Sequence, residues 1–405
     1  MGTKSKMLLI IGTILACAAA HPQVTVDPGL IADIFGTPPT KVPDGKDRLE
    51  DITVKPTQGP VYLQDKEGVQ CQCVPYYLCD KDLNGVQIND SSITGWGMLD
   101  IRFGEEDCQE SVERCCTTPR EPDQVPVPKP DPNKPSGCGY SNPKGLDFQV
   151  TGGNGNEAQF GEFPWVVALL DALNGSYVGV GVLIHPQVVM TAAHIAYRYG
   201  PQSLLIRAGE WDTQTNKERL QSQERTVSEI SIRPDFQAAS VQNDLALLRL
   251  ESPLVLADHI NVICMPSTDE EFETSKNCVA NGWGKDVFGQ AGRYAVILKK
   301  VEINMVPHAT CMAALQETRL GRHFKLHKSF VCAGGSPGKD TCTGDGGAPL
   351  VCPFQENRFK LTGLVAWGIG CGNNIPAVYA RVSLFRNWVD KTMLKWGYDV
   401  SGYTV

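Results

Sequence analysis

The sequence predicts a mostly β molecule, a barrel or sandwich finished by one C-terminal helix and preceded by a small cysteine-dense module. Three observations carry this. From residue 145 onward, short apolar β-branched runs such as "FPWVVALL", "YVGVGVLI", "LLIRAG", "LALLRL" and "LTGLVAWGIG" alternate with Gly, Pro, Asn and Asp turns, the spacing of an all-β domain. The last long segment, "LFRNWVDKTMLKWGY", sets Leu384, Trp388, Val389, Met393 and Trp396 at helical spacing. Residues 71–116 hold six cysteines, Cys71, Cys73, Cys79, Cys108, Cys115 and Cys116. So short a segment buries too little apolar area to fold without cross-links.

The chain is 405 residues long, enough for more than one domain. Residues 1–20, "MGTKSKMLLIIGTILACAAA", join Lys4 and Lys6 to an apolar run and small residues, which reads as a secretory signal rather than a membrane anchor. No later stretch is long and apolar enough to span a bilayer. Residues 21–66 are polar and Pro-rich without periodicity and read as an extension ordered only on contact. The cysteine module occupies 67–118. A proline-dense linker at 119–144 reads as a semi-extended tether, and the β domain fills 145–405.

Fifteen cysteines, with Cys17 in the leader, leave an even number for the mature chain. In an oxidising compartment these pair as disulfides, and neither Cys115-Cys116 nor Cys71-x-Cys73 has zinc-ligand spacing. Six cysteines in the module still allow fifteen connectivities, because spacing alone does not choose among them. The net charge of −8 argues against nucleic acid as a partner. Two sequons, at Asn89 and Asn174, fit secretion.

Chemistry enters with three separated motifs. "VVMTAAHI" places His194 after a strand, "NDLALLRL" places Asp244 before another, and "DTCTGDGGAPLV" follows. His, Asp and loop in this order, with "GEFPWVVAL" and "CVANGWGK" in step, resemble the chymotrypsin-like serine protease family over about 145–405. The resemblance implies a double β-barrel with a C-terminal helix. It makes His194 the general base, Asp244 its orienting carboxylate and position 346 the nucleophile.

That position is Gly346. Without a hydroxyl no acyl-enzyme forms, and the triad His194, Asp244, Gly346 is degenerate. Thr341 and Thr343 are the nearest hydroxyls in sequence but lie off the turn. Glycine also suits the strained turn on which such nucleophiles sit. In active relatives, cleavage after a basic residue frees an apolar terminus that pairs with the Asp beside the nucleophile. Here "DFQVTGG" offers Gln149 before Val150, which leaves the partner of Asp345 unassigned. Asp340 stands where trypsin-like members select Arg or Lys, and Ala377 replaces the usual Gly on that pocket's wall. Three lesions imply a chain that is not a working protease.

The resemblance further implies the bridges Cys138–Cys264, Cys278–Cys352, Cys311–Cys332 and Cys342–Cys371. The family bridge beside the general base is missing, with Ile195 and Gly179 at its two positions. "GEWDTQTNKERLQSQE" is similar to the family's calcium loop, so Glu210, Asp212 and Glu224 are candidate Ca²⁺ ligands, the alternative being a solvated acidic loop.

"CQCVPYYLC" and the terminal "CC" of the module resemble the clip domain of arthropod secreted proteases, which implies Cys71–Cys115, Cys73–Cys108 and Cys79–Cys116. Tyr76, Tyr77, Trp96 and Phe103 either line a partner groove or form the module's core. The whole arrangement resembles arthropod clip-domain serine protease homologues, among them prophenoloxidase-activating cofactors. The resemblance implies a secreted haemolymph protein cut by an upstream trypsin-like clip protease. Its partner would be prophenoloxidase, and it could self-associate after cleavage. Arg102, between Cys79 and Cys108, is the expected cleavage site, with Arg120 in the linker as the alternative. Two other functions stay open: a microbial-surface or cell-adhesion protein with no role in phenoloxidase activation, and a degraded but active hydrolase.

Overall fold

The computed structural model describes residues 61–64, 68, 70–79, 98–100, 108, 110–121, 135–151, 155–285, 294–338, 341 and 344–405. The cysteine module is a three-stranded antiparallel sheet in which β1 (Tyr62–Gln64) and β4 (Glu113–Cys116) flank β2 (Gln70–Pro75). Its short strands bury only a small core of their own, Val74, Leu78, Cys79 and Cys116 with Tyr77 packed against them. The bridges Cys71–Cys115, Cys73–Cys108 and Cys79–Cys116 close it, as the clip resemblance implied.

Two further short strands join the module to the β domain. β3 (Met98–Asp100) pairs in parallel with β5 (Gln149–Thr151), with Leu99 opposite Val150.

The first large sheet is a closed barrel of β6 (Val166–Asp171), β7 (Tyr177–His185), β8 (Val188–Thr191), β9 (Leu204–Ala208), β10 (Gln223–Ile232) and β11 (Ala246–Leu250), in the spatial order β10-β11-β8-β7-β6-β9. Its walls are near-continuous apolar runs, with β6 and β8 buried almost throughout. Gly181 lets the walls close. A Cβ there would lie 2.6 Å from Val189 Cγ1 and 2.9 Å from Leu169 Cδ1. A one-turn helix, α1 (Ala193–Ala196), follows β8.

The second sheet contains β12 (Cys278–Gly282), β13 (Lys299–Ile303), β14 (Met305–Val306), β15 (Phe330–Gly334), β16 (Pro349–Gln355), β17 (Arg358–Trp367) and β18 (Pro376–Arg381), with α2 (His308–Gln316) between β14 and β15. Its seven strands run β13-β12-β16-β17-β18-β15-β14, a half-barrel rather than a second closed one. The bridges Cys138–Cys264, Cys278–Cys352 and Cys311–Cys332 form as the resemblance implied. Cys371 is disulfide-bonded, and its expected partner Cys342 lies outside the described residues.

The closing helix, α3 (Val382–Lys395), buries a different stripe from the one expected. Val382, Phe385, Val389 and Met393 face the core, while Leu384, Trp388 and Trp396 pack at its margin. The buried Arg386 shifts the stripe. Its guanidinium donates to the Pro266 carbonyl at 2.8 Å and to Thr404 Oγ1 at 2.9 Å, and its Nε donates to Asp390 at 2.8 Å. Among the described residues no helix is long and apolar enough to cross a membrane.

The clip module is packed against the β domain. Tyr76, 1% exposed, and Val112, fully buried, belong to the same apolar cluster as Phe148, Phe160 and Trp211. The Tyr76 ring meets Phe148 edge-on at 4.9 Å, and its hydroxyl donates to Asp147. Arg219 holds the same carboxylate at 2.9 Å. Tyr76 therefore serves neither a groove nor a private module core. It anchors one domain on the other. Trp96 and Phe103 lie outside the described residues.

Candidate active-site cleft and clip interface

α1 carries His194 to the mouth of the cleft between the two sheets. The Asp244 carboxylate, fully buried, accepts the His194 backbone N–H at 2.7 Å through Oδ1 and lies 2.7 Å from the imidazole Nδ1 through Oδ2. Both contacts orient the ring so that Nε2 points at Gly346. A Cβ built on Gly346 would stand 3.0 Å from that nitrogen. The three positions named from sequence are therefore brought together, with base and carboxylate in hydrogen-bonded geometry and no side-chain atom at the third.

Around Gly346 the structure corrects one expectation. Its φ lies outside the left-handed region, so it is not the residue that needs glycine's freedom. The strain sits at its neighbours, Gly344 with φ of 97° and Gly347 with φ of 76°. A Cβ on Gly347 would fall 2.2 Å from Thr191 Oγ1. The Val180 N–H donates to the Gly346 carbonyl at 3.0 Å, and the Gly347 N–H to the Val365 carbonyl at 3.0 Å, which fixes the loop.

Ile195 accounts for the missing bridge. Its δ-methyl lies 2.9 Å from the Cβ position of Gly346 and 3.6 Å from that of Gly179. It fills the space between the two glycines and crowds the place where a nucleophile's side chain would start. Thr341 turns elsewhere, its hydroxyl 3.3 Å from the Tyr379 hydroxyl. Thr343 and Asp340 lie outside the described residues. Ala377 is buried in β18 opposite Ala333.

Asp345 has a partner that the sequence left unassigned. The Gly284 N–H donates to its Oδ1 at 2.8 Å, and Gly282 and Gly284 leave room for the carboxylate, since a Cβ on either would fall within 2.5 Å of it. Val150 is engaged elsewhere. Its N–H donates to Gln159 Oε1 at 2.6 Å, and its strand pairs with β3. The Gln149–Thr151 segment is thus paired along its length with a strand of the clip loop. Tyr177, whose hydroxyl donates to the Gly344 carbonyl at 2.9 Å, closes the back of the loop and packs edge-on against Tyr294 at 5.3 Å. Burial, reinforced by the nearby Asp345, holds the Tyr177 hydroxyl well above its usual range.

The acidic loop after β9 is used differently from the calcium expectation. Glu210 and Glu224 both pair with Arg207, at 3.2 and 2.7 Å, and Asp212 accepts the Ser111 hydroxyl of the clip module. Among the described residues the sole group of three or more ligand atoms mutually within 4.8 Å consists of Cys73, Cys108 and Cys115, all of them in disulfides. The three carboxylates named from sequence do not converge on one point. Burial pushes the Glu210 carboxyl up to about 7 against the pull of Arg207, and raises Glu218 well above the ordinary range.

Beyond Asp212 this loop is the clip module's seat. Lys217 Nζ donates to Glu110 and to Glu113, each at 2.7 Å, and Thr215 Oγ1 donates to Glu110 at 2.6 Å. Both glutamates are buried, each 8% exposed, so these are charge-assisted bonds from a half-buried lysine to carboxylates held away from solvent. Sequence reasoning missed this interface entirely.

A clip sheet, a closed β-barrel, a half-barrel and a His–Asp pair aimed at the loop before β16 define a trypsin-fold protein with an N-terminal clip module. A sequence profile described as Trypsin matches residues 153–389, and one described as Serine protease Clip domain PPAF-2 matches residues 62–117. Phenoloxidase-activating factor 2 of Galleria mellonella is 48% identical over 302 residues, covering 70% of this chain and 99% of the relative. Two proteins of Anopheles gambiae named inactive CLIP domain-containing serine proteases, A8 and A28, are 39% and 35% identical, each alignment covering 79% of this chain and 88% of the relative. The chain belongs to the clip-domain trypsin-like serine protease family. Its disulfide-rich clip fold is that of an extracellular protein.

Proposed function

We propose that this protein is a non-catalytic, proteolytically switched cofactor of prophenoloxidase activation in haemolymph. The observation that carries the reading is the empty third position: Gly346 faces His194 Nε2 with no hydroxyl, and the Ile195 methyl crowds its Cβ position. Without that oxygen, the retained dyad has nothing to deprotonate in the acyl-transfer scheme. The names of the relatives support both halves of the proposal, one a phenoloxidase-activating factor and others inactive clip proteases.

The switch is cleavage after Arg102 by an upstream trypsin-like clip protease. Arg102 lies outside the described residues, two positions beyond β3. A cut there interrupts the chain beside the ladder that covers Gln149–Thr151, and so couples the clip loop to the β domain. Arg120 is the weaker target. Its backbone N–H is tied to the Leu78 carbonyl at 2.8 Å, next to the Cys79–Pro119 bridge. The cleaved form then binds prophenoloxidase and self-associates.

The two sites give different products. All three clip bridges close loops that contain Arg102, so a cut there leaves the fragments disulfide-linked and separable only on reduction. No clip bridge spans Arg120, so cutting there frees the module on a denaturing non-reducing gel. N-terminal sequencing of the processed protein should find Phe103. A new terminus at Val150 overturns the scheme. Adding the processed protein to prophenoloxidase and its activating protease should raise phenoloxidase activity. Flat activity with retained binding to microbes or cells would replace it with the surface-binding function.

A further inference from the structure

The segment between α2 and β15 carries a charge pattern that neither the cleft nor the clip interface uses. In an acidic chain, residues 319–328 read "RLGRHFKLHK", with Arg319, Arg322, Lys325 and Lys328 every third residue, His323 and His327 between them and no carboxylate. All four cations and His323 are exposed. Among the described residues none of the four forms an ion pair, although eleven other Lys or Arg ion pairs are formed there. Arg322 Nε donates to the His323 ring at 3.3 Å, which places that pair side by side. The carboxylate that influences His327, Asp235, is held by Arg233 at 2.7 Å.

The apolar residues of the segment hold it in place. Leu326 is buried, and Leu320 and Phe324 pack into the cluster around Cys311, Cys332 and Trp367. Phe324 meets Trp367 edge-on at 6.1 Å, Gln316 Nε2 donates to the Phe324 carbonyl at 2.8 Å, and the Cys311–Cys332 bridge closes the loop. The backbone is thus fastened from below while the cations project outward. Holding four like charges together without counter-charges costs stability, and fixed patches of this kind attract polyanions.

We propose that this loop is a docking surface for a linear sulfated glycan. Its apolar side chains Leu320, Phe324 and Leu326 are committed to the core cluster, so the segment presents charge rather than apolar anchors. Four exposed cations within ten residues, none of them in an ion pair, suit a polymer that repeats its anions. The two guanidiniums match the oxygens of a sulfate half-ester as forks, and the two ammoniums act as point charges. Binding through four such contacts releases counterions, so affinity should fall roughly tenfold or more between 50 and 200 mM salt.

The probe is heparin, used with the full secreted protein. The wild type should be retained on heparin-agarose at 0.15 M NaCl despite its pI of about 5.5. The quadruple variant Arg319→Gln, Arg322→Gln, Lys325→Gln, Lys328→Gln should flow through with an unchanged melting temperature. Should that variant misfold, Arg322→Gln alone should elute at clearly lower salt. A control that neutralises the exposed Lys144, Lys276, Lys391 and Lys395 should stay bound. Soluble heparin should displace the protein at lower concentration than polyphosphate or poly-glutamate. No retention at 0.15 M NaCl, equal retention of the quadruple variant, or stronger displacement by polyphosphate or poly-glutamate would overturn the proposal.

Discussion

The cleft and the clip interface treat their polar residues in opposite ways. In the cleft, His194 and Asp244 keep a tight hydrogen-bonded geometry, yet the group they are aimed at is an α-carbon with Ile195 over it. At the interface, Glu110, Glu113, Asp147 and Asp212 are all engaged by donors from the opposite domain. One region holds a His–Asp pair opposite a glycine. The other holds two domains in a fixed relation through partners that are costly to leave unmatched. The difference teaches where the molecule's specific interactions now act, which is between domains.

The largest expected effect tests the interface. Tyr76→Ala removes a buried ring from the shared apolar cluster and should destabilise the protein by about 3–5 kcal/mol, read by chemical denaturation. Hydrogen exchange should rise at Gln149–Thr151 as well as in the clip sheet. An effect confined to the clip sheet would mean that the domains fold independently.

Lys217→Met should cost about 2–3 kcal/mol, because Glu110 and Glu113 keep their burial and lose their cation. The triple variant with Glu110→Gln and Glu113→Gln should recover much of that loss. Failure to recover would show that the ion pairs are not what seats the module.

A pH series comes next. Glu210 titrates near 4.5 in the unfolded chain and at about 7 when folded, so the native state holds the extra proton between those values. Its stabilising contribution is complete below the lower value and is lost as pH rises through the upper one. The buried Glu218, raised as well, acts in the same direction. Wild type should therefore lose roughly 2 kcal/mol between pH 5 and 8 that Glu210→Gln does not lose. A wild-type stability that rises over this range would contradict the assignment.

The smallest effect lies in the cleft. Gly346→Ser should cost about 1 kcal/mol through overpacking against the Ile195 methyl, and measurably less in an Ile195→Val background that lacks this methyl. A double-mutant cycle on thermal stability reads the coupling.

Local motifs made the cleft legible. His194, Asp244 and Gly346 each sit within a short run of residues whose order mirrors strand and loop placement, so sequence located them before the fold was seen. The bridges followed from resemblance rather than spacing. The interface was invisible for a physical reason. Tyr76 and Asp147, or Glu110 and Lys217, are joined across 71 and 107 residues, and no periodicity links such pairs. One partner of Asp345, the backbone N–H of Gly284, was hidden likewise, since a main-chain donor carries no side-chain signal in the sequence. The α3 stripe was misread because burying Arg386 contradicts its hydropathy, and only its hydrogen bonds to Pro266, Thr404 and Asp390 explain it.

The central claim of the proposed function is that position 346, a glycine facing His194 Nε2, supplies no hydroxyl to form an acyl-enzyme. Its most direct test is intact-mass analysis of the purified, processed protein after exposure to a fluorophosphonate. The mass should remain unchanged while the same preparation raises phenoloxidase activity in the reconstituted mixture. A stoichiometric adduct mapped to the β domain, accompanied by peptide-ester turnover, would contradict it.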